Sequence, residues 1–200
     1  MTVLDRSVAN RKLLMVMARK TIHKPISLNA KYHYAEYDPS LKDSWCSLHF
    51  STGLFENMEQ ADRAWNQMVQ EDELFLKENF LFVLDDENHL VGSAGLWKGF
   101  HYGVARLRLH YVSVLPQHQN QGIAKSMITS LCVKYDSIPS KYPLYLSTQT
   151  QSYGAIALYS RLGFTPFLGE YQGCSEEQSQ ANWEVATKIL KEKANLKESC

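Results

Sequence analysis

A glycine-containing loop between a predicted strand and a predicted helix carries the clearest chemical signal in the chain. Residues 119–124 read Q-N-Q-G-I-A, and the first turn of a helix leaves backbone N–H groups unpaired while the helix dipole adds positive potential. The missing side chain of Gly122 and the methyl group of Ala124 let a pyrophosphate approach the main chain. The chain contains neither G-x-x-x-x-G-K-[ST] nor G-x-G-x-x-G, so the loop predicts a phosphate site of another type.

Two motifs in this part of the chain resemble those of the GCN5-related N-acetyltransferase family. Residues 119–124 match Q/R-x-x-G-x-G/A and follow V-S-V-L-P at 112–116, which looks like the family's V-x-V-x-P strand end. Residues 152–164 look like its N-x-x-A-x-x-L-Y-x-x-x-G-F segment, with Ser152 where asparagine is usual. Taken alone, the first motif also fits a tight strand-to-helix connection, and the second fits a helix end whose aromatic residues pack in the core. The two together, in the family's order, favour binding of acyl-CoA.

The resemblance implies a fold and a co-substrate, acetyl-CoA, with no metal. The fold would be α/β, with a mixed, mostly antiparallel central sheet of about six to seven strands and helices on both faces. A single domain would occupy residues 1–200, with the acyl-CoA-binding core at about 80–167, acceptor-side elements in 1–79 and a tail at 191–200. The implied cofactor-binding residues are Val112, Ser113, Val114, Gln119, Asn120, Gln121, Gly122, Ile123, Ala124, Lys125, Ser152 and Tyr159.

Enzymes of this family transfer an acetyl group to an amine by direct attack, and this implies several chemical roles. A main-chain N–H near residues 112–114, where the family's strands splay, would donate to the thioester oxygen. Tyr159 matches the family's general acid, because a phenol with an ordinary pKa of ~10 stays protonated at neutral pH and can donate to the departing thiolate. The alternative for Tyr159 is a core position on a helix that also buries Leu158 and Leu162.

His110 is the candidate base for the acceptor amine. Alternation along the predicted strand 105–114 places it on the face of Val112 and Val114, and an imidazole with an ordinary pKa of ~6.5 could take a proton directly or through water. Some family members, the arylalkylamine acetyltransferases among them, carry a histidine at this position. The alternative is a partly buried strand histidine satisfied by a neighbour. Glu36 and His33 are weaker rivals for the role of base.

The spacing of apolar residues predicts the elements that position these side chains. Strands are expected at 28–37, 80–84, 90–97, 105–114, 143–150 and 164–167. Helices are expected from Pro39, from the cap residue Asn57 with Gln60 as its reciprocal partner, at 122–135 and at 153–161. Residues 12–19 fit either a strand or a short helix.

The C-terminal segment carries two overlapping periodicities. Every second residue from Trp183 to Ile189 falls on one side of a strand, whereas Trp183, Ala186 and Leu190 share a helix face within a stretch rich in helix formers. We expect a strand over 183–190 and a solvated tail over 191–200.

Composition limits the classes of function. Lys and Arg together number 21, as do Asp and Glu, so no overall field attracts nucleic acid or an anionic membrane. With 44% hydrophobic residues and no apolar run near the ~20 residues of a bilayer span, we expect a soluble protein with no nucleic-acid or membrane partner. The four cysteines lie far apart without a C-x-x-C pair, which argues against a zinc site and favours a cytoplasmic setting. A homodimer is left open.

The residues and the resemblance together predict an N-acetyltransferase acting on a primary amine of a small molecule or amino compound. A protein N-acetyltransferase and a non-catalytic acyl-CoA sensor of the same fold remain alternatives. A purely structural protein that binds a partner through the helices of Trp45 and Trp65 is a further one. Balanced charge favours a small acceptor over a highly basic protein.

Overall fold

The computed structural model describes residues 4–198, in which seven strands form one sheet flanked by five α-helices. The strands are β1 Lys12–Met17, β2 Tyr32–Ala35, β3 Phe80–Asp85, β4 Leu90–Gly99, β5 Arg106–Val114, β6 Leu144–Gln149 and β7 Thr165–Pro166. The helices are α1 Lys42–Ser51, α2 Met58–Asn79, α3 Ile123–Ser137, α4 Tyr153–Arg161 and α5 Glu176–Glu198. The strand order is β2-β3-β4-β5-β6-β1-β7, and only the β5–β6 pair is parallel among these strands. This is the mixed, mostly antiparallel sheet that the resemblance implies.

The sheet separates two buried apolar clusters. On one face, Leu109 and Val112 pack in a cluster with residues of α3, α4 and α5. On the other face, Trp45 of α1 and Trp65 of α2 lie in a second cluster, with their ring centroids 5.3 Å apart. Helices therefore cover both faces, as expected, and the α1–α2 face is the one rich in aromatic rings.

The predicted start of α2 is confirmed in its cap. The Asn57 side chain accepts a hydrogen bond from the Gln60 N–H at 2.9 Å. The Gln60 amide oxygen accepts from the Glu56 N–H at 3.1 Å rather than from that of Asn57. The helix is interrupted at Asp72, whose carboxylate accepts from the Phe75 N–H at 3.0 Å. Each half of α2 thus begins with an acceptor for its otherwise unpaired N–H groups.

Several other predicted elements are present with adjusted bounds. Residues 12–17 form a strand, which resolves the choice left open for 12–19. The strand expected at 28–37 is limited to 32–35, and the one expected at 164–167 is limited to 165–166. The helix from Pro39 begins as one 3-10 turn before α1.

Strand β5 contains a β-bulge at Tyr111. This residue has a left-handed φ of 49°, and the pairing of β5 with β4 shifts in register between Ser93 and Gly95. Two consecutive residues of β5 therefore face one residue of β4, and the strand's alternation changes phase.

The change of phase separates His110 from the residues expected beside it. Leu109 lies before the bulge and Val112 and Val114 lie after it, yet all three pack in the cluster with α3. His110 and Tyr111 line a cavity against α2, on the other side of the sheet, with their ring centroids 3.6 Å apart. The prediction that His110 shares a face with Val112 and Val114 is therefore wrong, because the extra residue at 111 reverses the alternation.

Residues 176–198 form a single helix, so the strand expected over 183–190 is wrong. Trp183, Ala186 and Ile189 are buried at the spacing of a helix, and α5 packs on α4 and β1. The segment is helical because a helix buries one continuous apolar stripe of these side chains. A strand would have placed Thr187, which is exposed, on the same face as Trp183. Residues 191–195 of the expected solvated tail are mostly exposed, as expected, but they continue the helix, which extends to 198; residues 199 and 200 lie outside the described part.

Candidate active site

Residues 119–125, which comprise the loop before α3 and the first turn of that helix, present backbone N–H groups that no acceptor satisfies; we call this segment the phosphate loop. Within residues 4–198, none of the N–H groups from Asn120 to Lys125 donates a hydrogen bond, and the first that does is that of Ser126, to the Gly122 carbonyl at 2.9 Å. Gly122 has a left-handed φ of 82°, and a Cβ built on it would meet no atom within 4 Å. Unpaired donors at the start of a helix, next to open space, form the type of site that phosphate groups occupy.

A cavity of about 340 Å³ covers the phosphate loop and is closed on its other side by α4. Gly154, Leu158 and Arg161 form the α4 wall. The predicted cofactor residues that line this cavity are Val114, Gln119, Asn120, Gly122, Ile123, Ala124 and Lys125. Arg161, which the sequence did not single out, adds a second cation beside that of Lys125, where an anion would bind.

Strands β5 and β6 separate toward the end of β5 that leads into the phosphate loop. Their parallel pairing consists of Arg108 with Tyr145 and Leu109 with Leu146. In the described structure, the edge of residues 110–114 that faces β6 therefore has no strand partner, although the opposite edge pairs with β4. A second cavity of about 340 Å³, the strand cleft, fills this opening. Three of the predicted cofactor residues line it: Val112, Ser152 and Tyr159. An unpaired strand edge beside a cleft offers main-chain groups to a ligand.

Tyr159 is buried at the wall of the strand cleft. Its side chain is 5% exposed, and its ring packs against that of Phe164 with centroids 5.8 Å apart. Burial raises the pKa of Tyr159 above its usual value, because the low dielectric disfavours the phenolate. The phenol is therefore protonated at neutral pH, which is the form that a proton donor requires.

His110 also lines the strand cleft, with Arg108 as its partner. The Nη2 atom of Arg108 lies 3.2 Å from Nε2 of His110. Because a guanidinium can only donate, Nε2 is the acceptor and the ring proton is on Nδ1. Burial, followed by the charge of Arg108, holds the pKa of His110 well below its usual value. His110 is therefore a neutral imidazole whose lone pair is already engaged.

Ser113 and Gln121, two predicted cofactor residues, line neither cavity. The Oγ atom of Ser113 lies 3.0 Å from Nδ1 of His49 and 3.2 Å from Oγ1 of Thr52, on the α1 side of the sheet. Gln121 is exposed. Ser113 could thus contact a bound molecule only through its main chain.

The weaker base candidates lie at the edge of the sheet. His33 is exposed on β2, the edge strand, and Glu36 follows directly after it. Two strands, β3 and β4, separate β2 from β5. Neither residue lines the strand cleft.

Three basic side chains of the strand cleft were not predicted as site residues. Lys12 comes from β1, His101 from the connection after β4, and Arg108 from β5. Arg108 had a local signal, since a cation two residues before His110 stands out in an apolar strand. Lys12 is distant in sequence and reaches the cleft only through the strand order, whereas His101 lies in the connection that leads into β5.

A third cavity, of about 420 Å³, lies between α2 and strands β4 and β5; we call it the α2 cleft. Ala64, Met68 and Glu71 form its α2 wall. The α2 cleft and the strand cleft meet at the four residues that line both of them: His101, Arg108, His110 and Tyr111.

Comparison with protein families identifies the class to which this arrangement belongs. Residues 40–164 match the Acetyltransferase (GNAT) family. The chain therefore belongs to the GNAT family of acetyltransferases. The matched stretch includes α1 and α2, for which the sequence offered no motif.

Solved structures show the same fold at low sequence identity. A GCN5-related N-acetyltransferase from Sphaerobacter thermophilus is 18% identical, with a TM-score of 0.57 over 80% of this chain and 49% of that one. A GNAT-family acetyltransferase from Colwellia psychrerythraea is 12% identical, with a TM-score of 0.56 over 80% of this chain and 54% of that one. A tandem GNAT protein from the clavulanic acid biosynthesis pathway gives a TM-score of 0.53 at 9% identity, over 78% of this chain and 50% of that one. The chain thus spans about half the length of these structures.

A comparison with curated protein sequences returned no match. Across residues 4–198, no helix is long and apolar enough to cross a bilayer. The same residues contain no group of three or more His, Cys, Asp or Glu side chains placed to hold a metal ion.

Proposed function

We propose that this chain is an acetyl-CoA-dependent N-acetyltransferase that acts on the primary amine of a small molecule, in a cytoplasmic setting. The observation that carries the proposal is that a phosphate-binding loop and an open strand pair lie along the same helix. The loop cavity contacts Gly154 and Leu158 of α4, and the strand cleft contacts Ala155 and Tyr159 of the same helix. One extended molecule with phosphates at one end and a thioester at the other fits such a pair of cavities.

The residues present fit coenzyme A. The unbonded N–H groups of the phosphate loop, with Lys125 and Arg161, would hold the pyrophosphate. When bound, acetyl-CoA supplies an activated acyl thioester. The unpaired edge of residues 110–114 supplies main-chain groups beside the strand cleft, of the kind that stabilise a developing oxyanion.

Tyr159 acts as the proton donor in this proposal. Its phenol is kept protonated by burial, and it lines the cleft in which the sulfur would be released. Delivering a proton to a departing thiolate typically contributes ~10²–10⁴-fold to the rate.

The strand cleft favours a neutral amine over an ammonium. No Asp or Glu is among its lining residues in the described chain, whereas Lys12 and Arg108 are. A site without an anion gives no stabilisation to a positively charged acceptor, so the acceptor reacts as the free amine. The modest volumes of the strand cleft and the α2 cleft support a small acceptor rather than a protein.

Steady-state release of free CoA from acetyl-CoA, measured with a panel of small primary amines, tests the proposal. We expect at least one amine to be acetylated, with the product verified by mass, and calorimetric binding of CoA. Binding of CoA without turnover of any amine or peptide would instead favour the acyl-CoA sensor. Turnover only with peptides would favour a protein acetyltransferase, and absence of CoA binding would overturn both the enzyme and the sensor.

A further inference from the structure

Arg108 is a cation in the interior of the site with no anion beside it. Its Nε atom is buried without a hydrogen-bond partner, and the one hydrogen bond that the described residues give the side chain goes to the neutral ring of His110, at 3.2 Å. No carboxylate lies within 4.0 Å of its guanidinium in the described structure. Burying a charge is costly unless it is paired, so a half-buried guanidinium whose Nε has no partner requires an explanation.

Arg106, two residues earlier on the same strand, also has a buried Nε without a hydrogen-bond partner, but its guanidinium has partners of another kind. Its guanidinium carbon lies 4.2 Å from the ring centroid of Tyr102 and 3.9 Å from that of Tyr142. It therefore has two cation–π partners within the protein. Arg106 lines neither the strand cleft nor the α2 cleft. The contrast shows that the fold pairs one arginine internally and turns the other toward the site.

The surroundings of Arg108 are also electropositive. Lys12 and His101 line the strand cleft with it, and Lys12, like Arg108, forms no ion pair in the described structure. The pKa of His101 is lowered first by burial and then by the charges of Arg108 and Lys12. The strand-cleft side of Arg108 is thus electropositive and has no Asp or Glu among its described lining residues, whereas Glu71 lies in the wall of the α2 cleft.

We propose that Arg108 binds a carboxylate of the acceptor, so that the substrate class is amines that also carry a carboxylate, as amino acids do. A planar guanidinium and a carboxylate form parallel charge-assisted hydrogen bonds, which fix orientation as well as supply affinity. Because Arg108 lies where the strand cleft and the α2 cleft meet, an acceptor held there would place its amine toward the strand cleft. The inference rests on the proposed function and names its substrate class.

The acceptor, rather than coenzyme A, is the source of the anion that Arg108 fits. The phosphates have their own donors in the phosphate loop, whose cavity is lined by a set of residues that does not include Arg108. The α2 cleft, by contrast, is separate from the loop cavity and is large enough for a small acceptor.

The test compares pairs of amines that differ only in the carboxylate, such as an amino acid and its amide, as ligands of the CoA-loaded protein. For the wild type, we expect at least one carboxylate member to bind about 10-fold more tightly than its partner, as a charge-assisted pair would provide. In Arg108→Gln, we expect that ratio to fall to about one. In Arg106→Gln, the matched change on the same strand, the ratio is expected to remain.

Binding and turnover separate the two proposals. Tighter binding of a carboxylate member that depends on Arg108, without acetylation of any amine, would support the inference and count against the proposed enzyme. Turnover of both members of every pair with equal kcat/KM and equal affinity would support the enzyme and overturn the inference. A preference for succinyl-CoA over acetyl-CoA that disappears in Arg108→Gln, with no acceptor preference, would also overturn it, because the carboxylate would then belong to the acyl donor.

Discussion

The phosphate loop and the cleft around Arg108 lie at opposite ends of β5. They present different chemical groups to a ligand: main-chain groups in the loop and side chains in the cleft. The loop presents unbonded main-chain N–H groups beside the open space at Gly122. The cleft is lined instead by side chains from β1, β5 and the β4–β5 connection. A main-chain site is fixed by a short stretch of sequence, whereas a side-chain site is fixed by strand order. We expect variants to affect one end of β5 without the other, and this separation can be tested.

The largest effect is expected at Tyr159, on the α4 wall of the strand cleft. Tyr159→Phe removes only the hydroxyl and keeps the ring packed on Phe164, so kcat should fall by ~10²-fold or more while the Kd for CoA changes little. Steady-state kinetics and calorimetry measure the two quantities. Tyr135→Phe is the matched control, since that buried hydroxyl donates to the Tyr142 carbonyl at 3.0 Å, away from the cavities. An unchanged kcat in Tyr159→Phe would remove the proton donor from the mechanism.

The next effect is expected at the phosphate loop. Gly122→Val places a β-branched side chain where φ is 82°, in space otherwise open to phosphate, so the Kd for CoA should rise by at least about 10-fold. Gly103→Val is the control, because Gly103 has a φ of 73° and equally open surroundings but lies outside the loop. We expect both variants to lose similar stability and only Gly122→Val to lose CoA affinity. Equal CoA affinities in the two variants would contradict the phosphate-site assignment.

The phosphate loop could be predicted from the sequence, whereas the surroundings of Arg108 could not, and the reason is physical. Residues 119–124 and 152–164 are contiguous motifs whose backbone geometry is local, so both the phosphate loop and α4 could be predicted. The bulge at Tyr111 and the neighbours of Arg108 depend on pairing between strands distant in the chain. Alternation, the signal used to place His110, cannot reveal a bulge, because the inserted residue has no distinctive type.

The C-terminal helix illustrates another limit of periodicity. Trp183 and Ile189 fit both a strand and a helix pattern, and only the packing of α5 on α4 and β1 decides between them. Local propensity pointed to a helix there, whereas the alternating pattern pointed to a strand. Where two periods overlap, the element's tertiary partners determine which side chains are buried.

A smaller and more selective effect is expected at Gly99, on the Arg108 side. A Cβ at Gly99 would lie 2.8 Å from Cδ of Arg108 and closer still to the Tyr145 hydroxyl, so both side chains must move. Gly99→Ala should therefore raise the KM for the acceptor several-fold and leave the Kd for CoA unchanged. Kinetics with acetyl-CoA saturating, together with CoA calorimetry, make the comparison. If both constants rise together, the two ends of β5 are not independent.

The smallest effect is expected in the pH dependence of the free energy of unfolding, to which His110 contributes. Its pKa is lowered in the fold, while the unfolded chain has an ordinary value of ~6.5, so below about pH 6.5 the unfolded state binds the extra proton. The stability that comes from keeping His110 neutral is therefore present above pH 6.5 and lost as pH falls. His110→Gln should make the free energy of unfolding less dependent on pH, by up to about 1.4 kcal/mol per pH unit in the acid range. Denaturant unfolding between pH 5 and 7.5 measures this slope.

His49→Gln provides the matched control for that slope and separates stability from catalysis. Burial lowers the pKa of His49 to about 3, so its replacement should reduce the pH dependence of unfolding in the same direction, yet His49 lines neither cleft. Because the His110 lone pair accepts from Arg108, we expect the kcat/KM profiles of wild type and His110→Gln to run parallel above pH 6. An acid limb between pH 6 and 7 that vanishes in His110→Gln and persists in His49→Gln would show instead that His110 gives up Arg108 and serves as the base.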